Sequence, residues 1–408
     1  MSYLERLLEG VEVEWRPLGE IAVILNGFAF KSSNYSPNGI RVVRISDVQK
    51  GKMSDKDLKY YPLATAKEIR RYLLKESDLV MSLTGNCGRV AMISKKDLPA
   101  ALNQRVACIR TNLDFVLTRY LFHFFDQNSF ETTAMSNATG GGQKNMSTRW
   151  LSSYETPIPP IEVQKEIVRI LDSFTELTAE LTAELTARKQ QYSYYREQLL
   201  SFEGRDVEWK TLGEVGEFQR GKRFVKTDLV DKGVPTIHYG EMYTHYGVWA
   251  QETKSFVSEE LLVSKKLRVA NNSDVIIVAA GETIEDIGTG TAWLGNEGVV
   301  IHDACFSFTS SLDPKYLSYF TRTRKYHDQI RRFISSGKIS AINSKGLSKV
   351  FIPIPSLEEQ ARIVSILDKF DTLTTSISEG LPKEIEMRQK QYEYYRDMLL
   401  SFPKPDQA

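Results

Sequence analysis

The chain has 408 residues, of which 41% are hydrophobic and 26% are charged, and its formal net charge is +1. This composition excludes a disordered chain and leaves room for two to four domains. No run of about 18 apolar residues is present, and the N-terminus lacks the basic start and apolar core of a signal peptide, so we expect a cytoplasmic protein with no membrane partner. Cys87, Cys108 and Cys305 are scattered without C-x-x-C spacing, which argues against a disulfide framework or a zinc site.

The net charge is unevenly distributed along the chain. Residues 157–202 and 353–402 together carry 11 basic and 16 acidic side chains, a balance of −5, so the remainder carries +6. A protein that binds phosphates needs local rather than global positive potential, and the remainder of the chain supplies it.

The first 156 residues contain short β-rich runs separated by Gly and Asn turns. The runs RVVRI, DLVMSL and RVACIR indicate strands, and residues 119–125 are predicted to be helical. We therefore predict an α+β module with a mixed sheet, which we call module 1.

Residues 157–202 follow with a different pattern. After a Pro-Ile-Pro start, which favours extended backbone ahead of a helix, apolar residues recur three and four apart and the unit TAEL occurs twice. This spacing predicts a long helix that packs on another helix.

The second half of the chain repeats the first. Val13-Glu14-Trp15 recurs as Val207-Glu208-Trp209, and 21 of 33 aligned positions in residues 157–202 are identical in 353–402. Between these segments lies a second module, module 2, with strand-like runs VPTIHY, DVIIVAA and GVVIHDACFSF and a predicted helix at 315–333. Gly380-Leu381-Pro382 predicts a kink or break in the second helix. Residues 3–8 resemble 195–200, which indicates the remnant of a helix end at the N-terminus.

These patterns predict an α+β fold with two pseudo-symmetric globular α/β modules, separated by two long helices that form an antiparallel coiled coil. The predicted segments are module 1 with the helix remnant at 1–156, a central helical spacer at 157–204, module 2 at 205–352 and a distal helical spacer at 353–408.

Catalytic motifs are hard to find in this sequence. The glycines at 140–142 lack the Lys-Ser/Thr of a phosphate-binding loop, those at 288–295 misplace the third glycine of a dinucleotide fingerprint, and the histidines have no metal-ligand spacing. Four acids of module 2 could bind Mg²⁺, although a solvated surface explains them more simply: Glu282, Glu285, Asp286 and Asp303. The pattern as a whole favours a binding protein that is not an enzyme.

Module 2 contains a strongly basic stretch. Residues 315–349 carry nine Lys or Arg against the single acid Asp328, interleaved with aromatic residues. A charge run is often only a solvated face, but this imbalance favours contact with phosphates. The candidate DNA contacts of module 2 are Arg220, Lys222, Arg223, Arg322, Arg324, Arg331, Arg332, Lys338 and Lys345.

The matching part of module 1 is less basic, so its candidate contacts come from elsewhere in the module. The candidate cations are Lys31, Arg41, Arg44, Arg89, Arg105, Lys144 and Arg149. The candidate amides, of the kind that read adenine edges, are Asn86, Asn103, Gln104, Gln143 and Asn145. Turn capping is an equally good explanation for any single amide.

Two variable modules, each followed by a proline-marked start into a long helix, with TAEL repeats and QYxYYRxxLLSF endings, resemble the specificity subunit of type I restriction-modification enzymes, in particular the IC family. The resemblance covers essentially the whole chain and is carried by the helical segments. Pro382 is the clearest departure from the family pattern.

The resemblance implies two target recognition domains that read the two halves of a split site in double-stranded DNA. It also implies that the helices set the gap between the half-sites and dock two methyltransferase subunits, and that restriction subunits join that core. S-adenosylmethionine and ATP would be bound by these partners, so the chain itself would need no cofactor and no metal. An alternative from another class is a coiled-coil scaffold whose modules bind proteins, and the salt dependence of DNA binding would distinguish the two.

Overall fold

The computed structural model of the protein describes residues 7, 10, 12–111, 114–337, 339–376 and 378–403. The chain forms two compact units, one made of Met1–Leu181 with Glu384–Ala408 and the other of Thr182–Lys383. Each unit therefore holds one module together with parts of the helical segments. The segment boundaries drawn from the sequence stay a prediction, and the helix remnant at 3–8 lies, apart from Leu7, outside the described residues.

The described part of module 1 consists of short strands and four helices. The strands are β1 (Glu14–Pro17), β2 (Ala22–Asn26), β3 (Ile40–Val43), β4 (Val48–Gln49), β5 (Lys52–Met53), β6 (Tyr60–Tyr61), β7 (Leu79–Ser82), β8 (Val90–Met92), β9 (Ala100–Leu102), β10 (Val106–Thr111) and β11 (Glu155–Ile158). The helices are α1 (Leu18–Ile21), α2 (Thr118–Phe125), α3 (Asn128–Asn137) and α4 (Thr148–Ser153).

Module 1 contains two main sheets and a closing ribbon. One sheet has the order β2-β10-β7-β8 with antiparallel neighbours, and the other has the order β6-β3-β9, in which β3 and β9 run parallel. The first strand, β1, pairs antiparallel with the last, β11, so that Trp15 lies opposite Pro157. The module therefore begins and ends at the same two-stranded ribbon.

Helix α2 supplies much of the module 1 core. Tyr120, Leu121 and Phe125 are essentially inaccessible to solvent and pack with Leu79 and Ile109 of the antiparallel sheet. Full burial of such a side chain contributes about 1.5–3 kcal/mol. This packing holds α2 against the antiparallel sheet of module 1.

Helix α5 (Ile161–Ser201) is continuous over 41 residues. Its Pro-Ile-Pro start does not enter the helix: Pro157 and Ile158 lie in strand β11 and the helix begins at Ile161. The expected extended backbone ahead of the helix is therefore present as a paired strand.

Module 2 repeats this organisation in the second unit. Its strands are β12 (Glu208–Thr211), β13 (Gly216–Arg220), β14 (Leu229–Val230), β15 (Val234–Ile237), β16 (Trp249–Ala250), β17 (Ser255–Val257), β18 (Val269–Ala270), β19 (Val275–Val278), β20 (Ala280–Gly281), β21 (Gly290–Trp293), β22 (Val299–Ile301), β23 (Cys305–Ser310), β24 (Ser340–Ala341) and β25 (Phe351–Ile354). Its helices are α6 (Leu212–Val215), α7 (Glu241–Thr244), α8 (Glu259–Ser264), α9 (Pro314–Phe320), α10 (Arg324–Arg331) and α11 (Ser344–Leu347).

The sheet order shows that the two modules share one framework. In module 2 the run β13-β23-β19-β21 repeats the order of β2-β10-β7-β8, and β12 pairs with β25 so that Trp209 lies opposite Pro353. Parallel pairs such as β15 with β22 make the sheets mixed, as the sequence predicts. The helix predicted at 315–333 is instead two helices, α9 and α10, because the chain turns at Thr321 to Thr323, where Thr323 caps α10.

Two further helices complete the chain, α12 (Leu357–Thr375) and α13 (Leu381–Leu399). The predicted break at residues 380–382 is confirmed, since the second helical segment stops at Thr375 and restarts at Leu381. In the first unit Phe174 of α5 stacks on Tyr395 of α13, with ring centroids 5.2 Å apart. In the second unit Tyr195 of α5 stacks on Phe370 of α12 at 5.4 Å. Each unit thus packs part of α5 on a helix of the second segment, and the predicted fold class is confirmed.

The end of module 1 is pinned to the start of helix α5 by buried hydrogen bonds. The Tyr120 hydroxyl donates to the carbonyl oxygen of Pro157 at 2.9 Å. The side-chain oxygen of Gln164, which has no exposed surface, accepts from the Leu117 backbone N–H at 2.9 Å, and its amide nitrogen donates to the Pro159 carbonyl at 2.8 Å. Buried backbone groups need such partners, so the glutamine fixes the angle at which the helix leaves the module.

Module 2 is pinned to helix α12 in the same way. Tyr316 donates to the Pro353 carbonyl at 2.9 Å, and Gln360 accepts from the Asp313 N–H and donates to the Pro355 carbonyl, both at 2.9 Å. The repeat therefore extends from the sequence to individual hydrogen bonds. We call each of these pinned ends a junction.

No helix in the described part of the chain is both long enough and apolar enough to cross a membrane.

Candidate nucleic-acid interface

Three segments of module 1 cross at the edge of the sheet where β2 and β7 end and β10 begins. The Leu83 N–H donates to the Arg105 carbonyl at 2.9 Å, and the Met146 N–H donates to the Leu83 carbonyl at 2.7 Å. The Gly85 N–H donates to the Lys144 carbonyl at 2.9 Å. These bonds hold residues 83–86, 103–105 and 143–146 side by side, and we call this arrangement the crossing of module 1.

The end of β2 approaches the crossing so closely that only glycine fits there. A Cβ atom at Gly27 would lie 2.1 Å from the Asn103 carbonyl oxygen, well inside van der Waals contact. The next residue, Phe28, donates its N–H to the Leu102 carbonyl at 2.8 Å. The glycine after Asn26 is therefore a packing requirement of this site.

Module 2 has an equivalent crossing made of residues 279–282, 302–304 and 339–342. The Ala279 N–H donates to the Ala304 carbonyl at 2.7 Å, and the Ile342 N–H donates to the Ala279 carbonyl at 2.8 Å. A Cβ atom at Gly221 would lie 2.2 Å from the His302 carbonyl oxygen, which repeats the constraint at Gly27. The two modules thus hold the same segments together with the same backbone bonds.

The crossing of module 2 borders a cleft of about 510 Å³. Its walls combine cations, aromatic rings and acids, a mixture that can contact phosphate, stack on a base or bond a base edge. The polar and aromatic side chains that line it are Arg220, Arg223, Lys226, Phe224, His238, Tyr239, Glu282, His302 and Asp303, and the exposed Ile339 lies at its rim.

The two histidines of this cleft act as neutral donors and acceptors. Burial lowers the pKa of His238 and of His302, so both imidazoles are uncharged near neutral pH. His302 Nδ1 accepts from the Ala304 N–H at 3.1 Å, which leaves Nε2 to donate to the Phe224 carbonyl at 3.0 Å. His302 thereby ties the crossing to the segment that carries Arg223.

The crossing of module 1 brings together most of the residues predicted there. Asn86, Gln104, Arg105, Gln143, Lys144 and Asn145 are exposed at its surface, and Asn103 is half-buried beside them. Lys31 and Arg149 are exposed elsewhere in the module, while Arg89 is half-buried in an ion pair with Glu131 at 3.1 Å. Whether these residues touch DNA stays a prediction.

Two predicted cations of module 1 are occupied inside the protein. Arg41 is only 5% exposed, and its guanidinium donates to Asp97 and to the Ser54 carbonyl, both at 2.6 Å. Arg44 is held by Asp47 at 3.0 Å and by the Asp57 carbonyl at 2.6 Å. Both placements argue against the predicted phosphate contacts, because guanidinium groups already saturated by buried or neighbouring acceptors are poor phosphate ligands.

The predicted cations of module 2 fall into three groups. Arg220, Lys222 and Arg223 lie at or beside the cleft, and Arg324, Arg331, Arg332 and Lys345 are exposed on the surface formed by α10 and α11. Arg322 is a correction: its guanidinium donates to the carbonyls of Ser318 at 2.9 Å, of Gly247 at 2.8 Å and of Gly290, so it braces the module from within. Lys338 lies outside the described residues.

The aromatic residues of the basic stretch do not alternate with its cations on one surface. Tyr316, Tyr319 and Tyr326 have no exposed area and belong to the core of module 2. Phe333 alone among the named rings is half-buried, with Arg332 above it at 4.9 Å from the ring centre. The helical period places tyrosines inward and cations outward, which sequence spacing alone could have indicated.

Three of the four acids of module 2 lie at two separate places, and the fourth, Asp286, is half-buried and lines neither. Glu282 and Asp303 line the cleft, whereas Glu285 lines a separate depression beside His327 and Arg331. Within the described ranges no group of three or more His, Cys, Asp or Glu side chains could hold a metal ion.

Six residues that line the cleft are not among the DNA contacts predicted from the sequence: Phe224, Lys226, His238, Tyr239, His302 and Ile339. The repeat held a signal for His238, because strand register places it at the position of the candidate Arg44 of module 1. That signal becomes legible only when strand register, rather than sequence identity, aligns the modules.

Comparisons with known proteins agree with this architecture. A family model for the type I restriction modification DNA specificity domain matches the chain twice, at residues 10–188 and 204–387. The chain is 33% identical, across 100% of its length, to the specificity subunit of the type I restriction enzyme EcoR124I/EcoR124II of Escherichia coli, of which it covers 98%. It is 30% identical to a putative type I restriction enzyme specificity subunit of Haemophilus influenzae, across 98% of both chains.

Solved structures support the fold. The chain aligns with the S subunit of a type I restriction-modification system from M. genitalium with a TM-score of 0.54 and 14% identity, over 99% of this chain and 100% of that one. A chain solved in work on complex assembly and conformational transition of the type I R-M system aligns with a TM-score of 0.61 and 19% identity, over 95% and 97% of the two chains.

A duplicated specificity domain on paired helices thus defines a DNA specificity protein. The chain belongs to the type I restriction-modification DNA specificity family, and it is a specificity subunit with two target recognition domains.

Proposed function

We propose that each module reads one half of a bipartite site in double-stranded DNA, and that the chain recognises DNA without catalysing a reaction. The observation that carries this proposal is the pair of crossings, in which identical backbone bonds present different exposed side chains. Two modules that share a framework but expose different side chains are suited to a DNA site whose two halves differ in sequence.

We further propose that the helices dock two methyltransferase subunits, that restriction subunits join this core in the cytoplasm, and that the partners bind S-adenosylmethionine and ATP. The helices offer a repeated contact surface in support: Tyr194 is 61% exposed and Tyr394, at the same place in the repeat, is 65% exposed. Large exposed aromatic side chains are frequent anchors of protein interfaces.

Module exchange tests the two-reader proposal. Because β12 and β25 pair at the base of module 2, residues 208–354 can be replaced by the matching residues of a relative without changing the helices. We expect methylation mapping, with the hybrid and its methyltransferase partner, to show one altered half-site and one unchanged half-site. Alteration of both half-sites in a folded hybrid would contradict separate reading.

Helix length tests the proposal that the helices set the gap. A third TAEL unit after Leu185 lengthens α5 by about 6 Å and turns it by about 40° beyond a full turn, so the apolar seam nearly keeps its phase. At about 3.4 Å per base pair, we expect the gap to grow by one or at most two base pairs with both half-sites retained. Insertion of two residues turns the seam by about 200° and is expected to prevent assembly. An unchanged gap in an active TAEL variant would exclude the helices as the spacer.

A scaffold whose modules bind proteins is the alternative function. If the modules bind proteins, we expect no salt-sensitive binding to duplex DNA. If they bind DNA through several phosphate contacts, the affinity must fall steeply as the salt concentration rises. Titration of the complete complex with duplex DNA at three salt concentrations separates the two functions.

A further inference from the structure

The backbone bonds of the two crossings pair their residues one to one. They equate Leu83 with Ala279 and Met146 with Ile342. Counting along each segment then pairs Asn86 with Glu282 and Gln143 with Ile339. In the remaining segment Arg105 matches Ala304, so Gln104 matches Asp303.

The paired positions differ in chemistry, and all of them are exposed except Asp303, which is half-buried. Asn86, Gln104 and Gln143 are exposed, and in the described part of the chain their side chains make no hydrogen bond to the protein. At the same places module 2 has an exposed carboxylate at Glu282, the carboxylate of Asp303 beside His302, and an isoleucine at position 339 that is 62% exposed. A fixed backbone thus presents three free amides in one module and two acids with an apolar group in the other.

Cations flank the variable positions in both modules. Arg105 and Lys144 are exposed in the crossing of module 1, and Arg220 and Arg223 are exposed beside that of module 2. Such residues hold a DNA backbone in place, and the groups between them then face the base edges. A carboxylate that faces a phosphate is repelled by it. The acids of module 2 can therefore lie against DNA only where they accept hydrogen bonds from donors on the bases.

The exposed side chains of each crossing match the hydrogen-bonding groups of particular bases. Asn and Gln amides match the N6 and N7 edge of adenine, carboxylates accept from the N4 amino group of cytosine, and apolar side chains contact the methyl group of thymine. Module 1 therefore presents adenine-type readers, and module 2 presents readers suited to cytosine and thymine.

We infer that the crossing is the base-reading surface of each module, with Asn86, Gln104 and Gln143 determining one half-site and Glu282, Asp303 and Ile339 determining the other. This inference rests on the proposed reading of half-sites and names the residues that perform it. The same framework accepts different readers because its own bonds are made by the backbone.

Transfer of the module 1 residues into module 2 tests the inference. The variant carries Glu282→Asn, Asp303→Gln and Ile339→Gln in the full chain, assembled with its methyltransferase partner and incubated with a library of random-sequence duplex DNA. We expect selection for the original bases of the module 2 half-site to fall about tenfold or more, with cytosine lost from it, while the module 1 half-site is unchanged.

A charge-matched control separates base reading from general electrostatics. Glu217→Gln with Asp231→Asn removes the same two negative charges from exposed positions of module 2 outside the cleft and is expected to keep the original half-site. A second variant, the single exposed substitution Asn86→Glu, is expected to change the module 1 half-site alone.

The outcomes distinguish this inference from the function on which it rests. If the unaltered complex selects no bipartite site, half-site reading itself fails. If the unaltered complex selects such a site, but both the triple variant and Asn86→Glu keep its original bases, only the assignment to the crossing is overturned. Should the triple variant fail to assemble, the Asn86→Glu variant alone decides the assignment.

Discussion

The junctions of modules 1 and 2 share their hydrogen bonds but carry opposite charges. Just beyond α2, module 1 has Asp126, and the equivalent residue beyond α9 in module 2 is Arg322. The Asp126 carboxylate binds Arg396 of α13 at 3.0 Å, and the Arg396 guanidinium is 1% exposed. Arg322 is instead held by backbone carbonyls, including that of Gly247 at 2.8 Å.

The rest of the second junction has adjusted to this exchange. Arg196 occupies the place of Arg396 in the repeat, and each arginine lies over a tyrosine ring, Tyr192 at 5.5 Å and Tyr392 at 5.3 Å. The ion pair differs, because Arg196 approaches only its neighbour Glu197, at 3.9 Å. The negative charge comes from helix α12, where Asp371 accepts from the Tyr192 hydroxyl at 3.2 Å. Burial raises the pKa of Asp371 above its ordinary value.

This difference shows which features a duplicated framework retains. The glutamine and tyrosine bonds to backbone groups recur, because a carbonyl or N–H at a fixed place needs a partner at a fixed distance. Charges were rearranged, because any nearby acid or carbonyl can offset a buried guanidinium.

The largest expected effect follows from removal of the buried arginine. Arg396→Ala leaves Asp126 without its ion-pair partner in a buried setting, so we expect the first unit to lose about 3 kcal/mol of stability. Arg196→Ala, the matched substitution, breaks only a long and partly exposed contact, and we expect a loss of no more than about 1 kcal/mol. Hydrogen–deuterium exchange in peptides that cover residues 118–126 and 314–320 measures the two effects separately.

The pH dependence of the Arg396→Ala variant provides a further check. Burial raises the pKa of Asp126 to about 6, above the ordinary 3.8, so the folded state favours the protonated carboxyl. A group with a raised folded pKa weakens folding as pH rises through that value. Loss of the arginine raises this pKa further, so the deficit of the variant is expected to be larger at pH 8 than at pH 5. A deficit that is independent of pH would mean that the arginine acts through packing.

A smaller and equal effect is expected from the glutamines of the two junctions. Gln164→Leu and Gln360→Leu each remove a buried amide that bonds a backbone N–H and a proline carbonyl, at a cost of about 2 kcal/mol. Gln190→Leu, on an exposed face of α5, is the control and is expected to change little. Denaturant unfolding followed by exchange in the same peptides measures each cost, and unequal losses would break the equivalence of the junctions.

The sequence predicts the helices and the duplication well, because both leave periodic signals. The apolar spacing that includes Phe174 and Tyr195 predicts packing on another helix, and both rings stack on rings of the second helical segment. Pro382 predicts the break after Thr375. Asn26-Gly27 and Arg220-Gly221 stand at matching places in the two halves of the sequence, and both lie at equivalent strand ends.

Charge was a weaker guide to the candidate interface. Arg41 and Arg322 have the same sequence signature as exposed cations, and only the folded chain shows that Asp97 and the Gly247 carbonyl occupy them. Ile339 is the opposite case, since an apolar residue in a basic stretch carries no sequence signal for exposure. Burial depends on contacts between distant segments, which composition and local spacing do not record.

The interruption between α12 and α13 also affects how the two helical segments can change length. Within continuous α5 an insertion must preserve the phase of the apolar seam, so additions of about four, seven or eleven residues are tolerated and others are not. Residues 376 and 378–380 lie between the two helices, and a non-helical connection has no phase to preserve. Across relatives, the first spacer is therefore expected to vary in discrete steps, while the connection in the second varies one residue at a time.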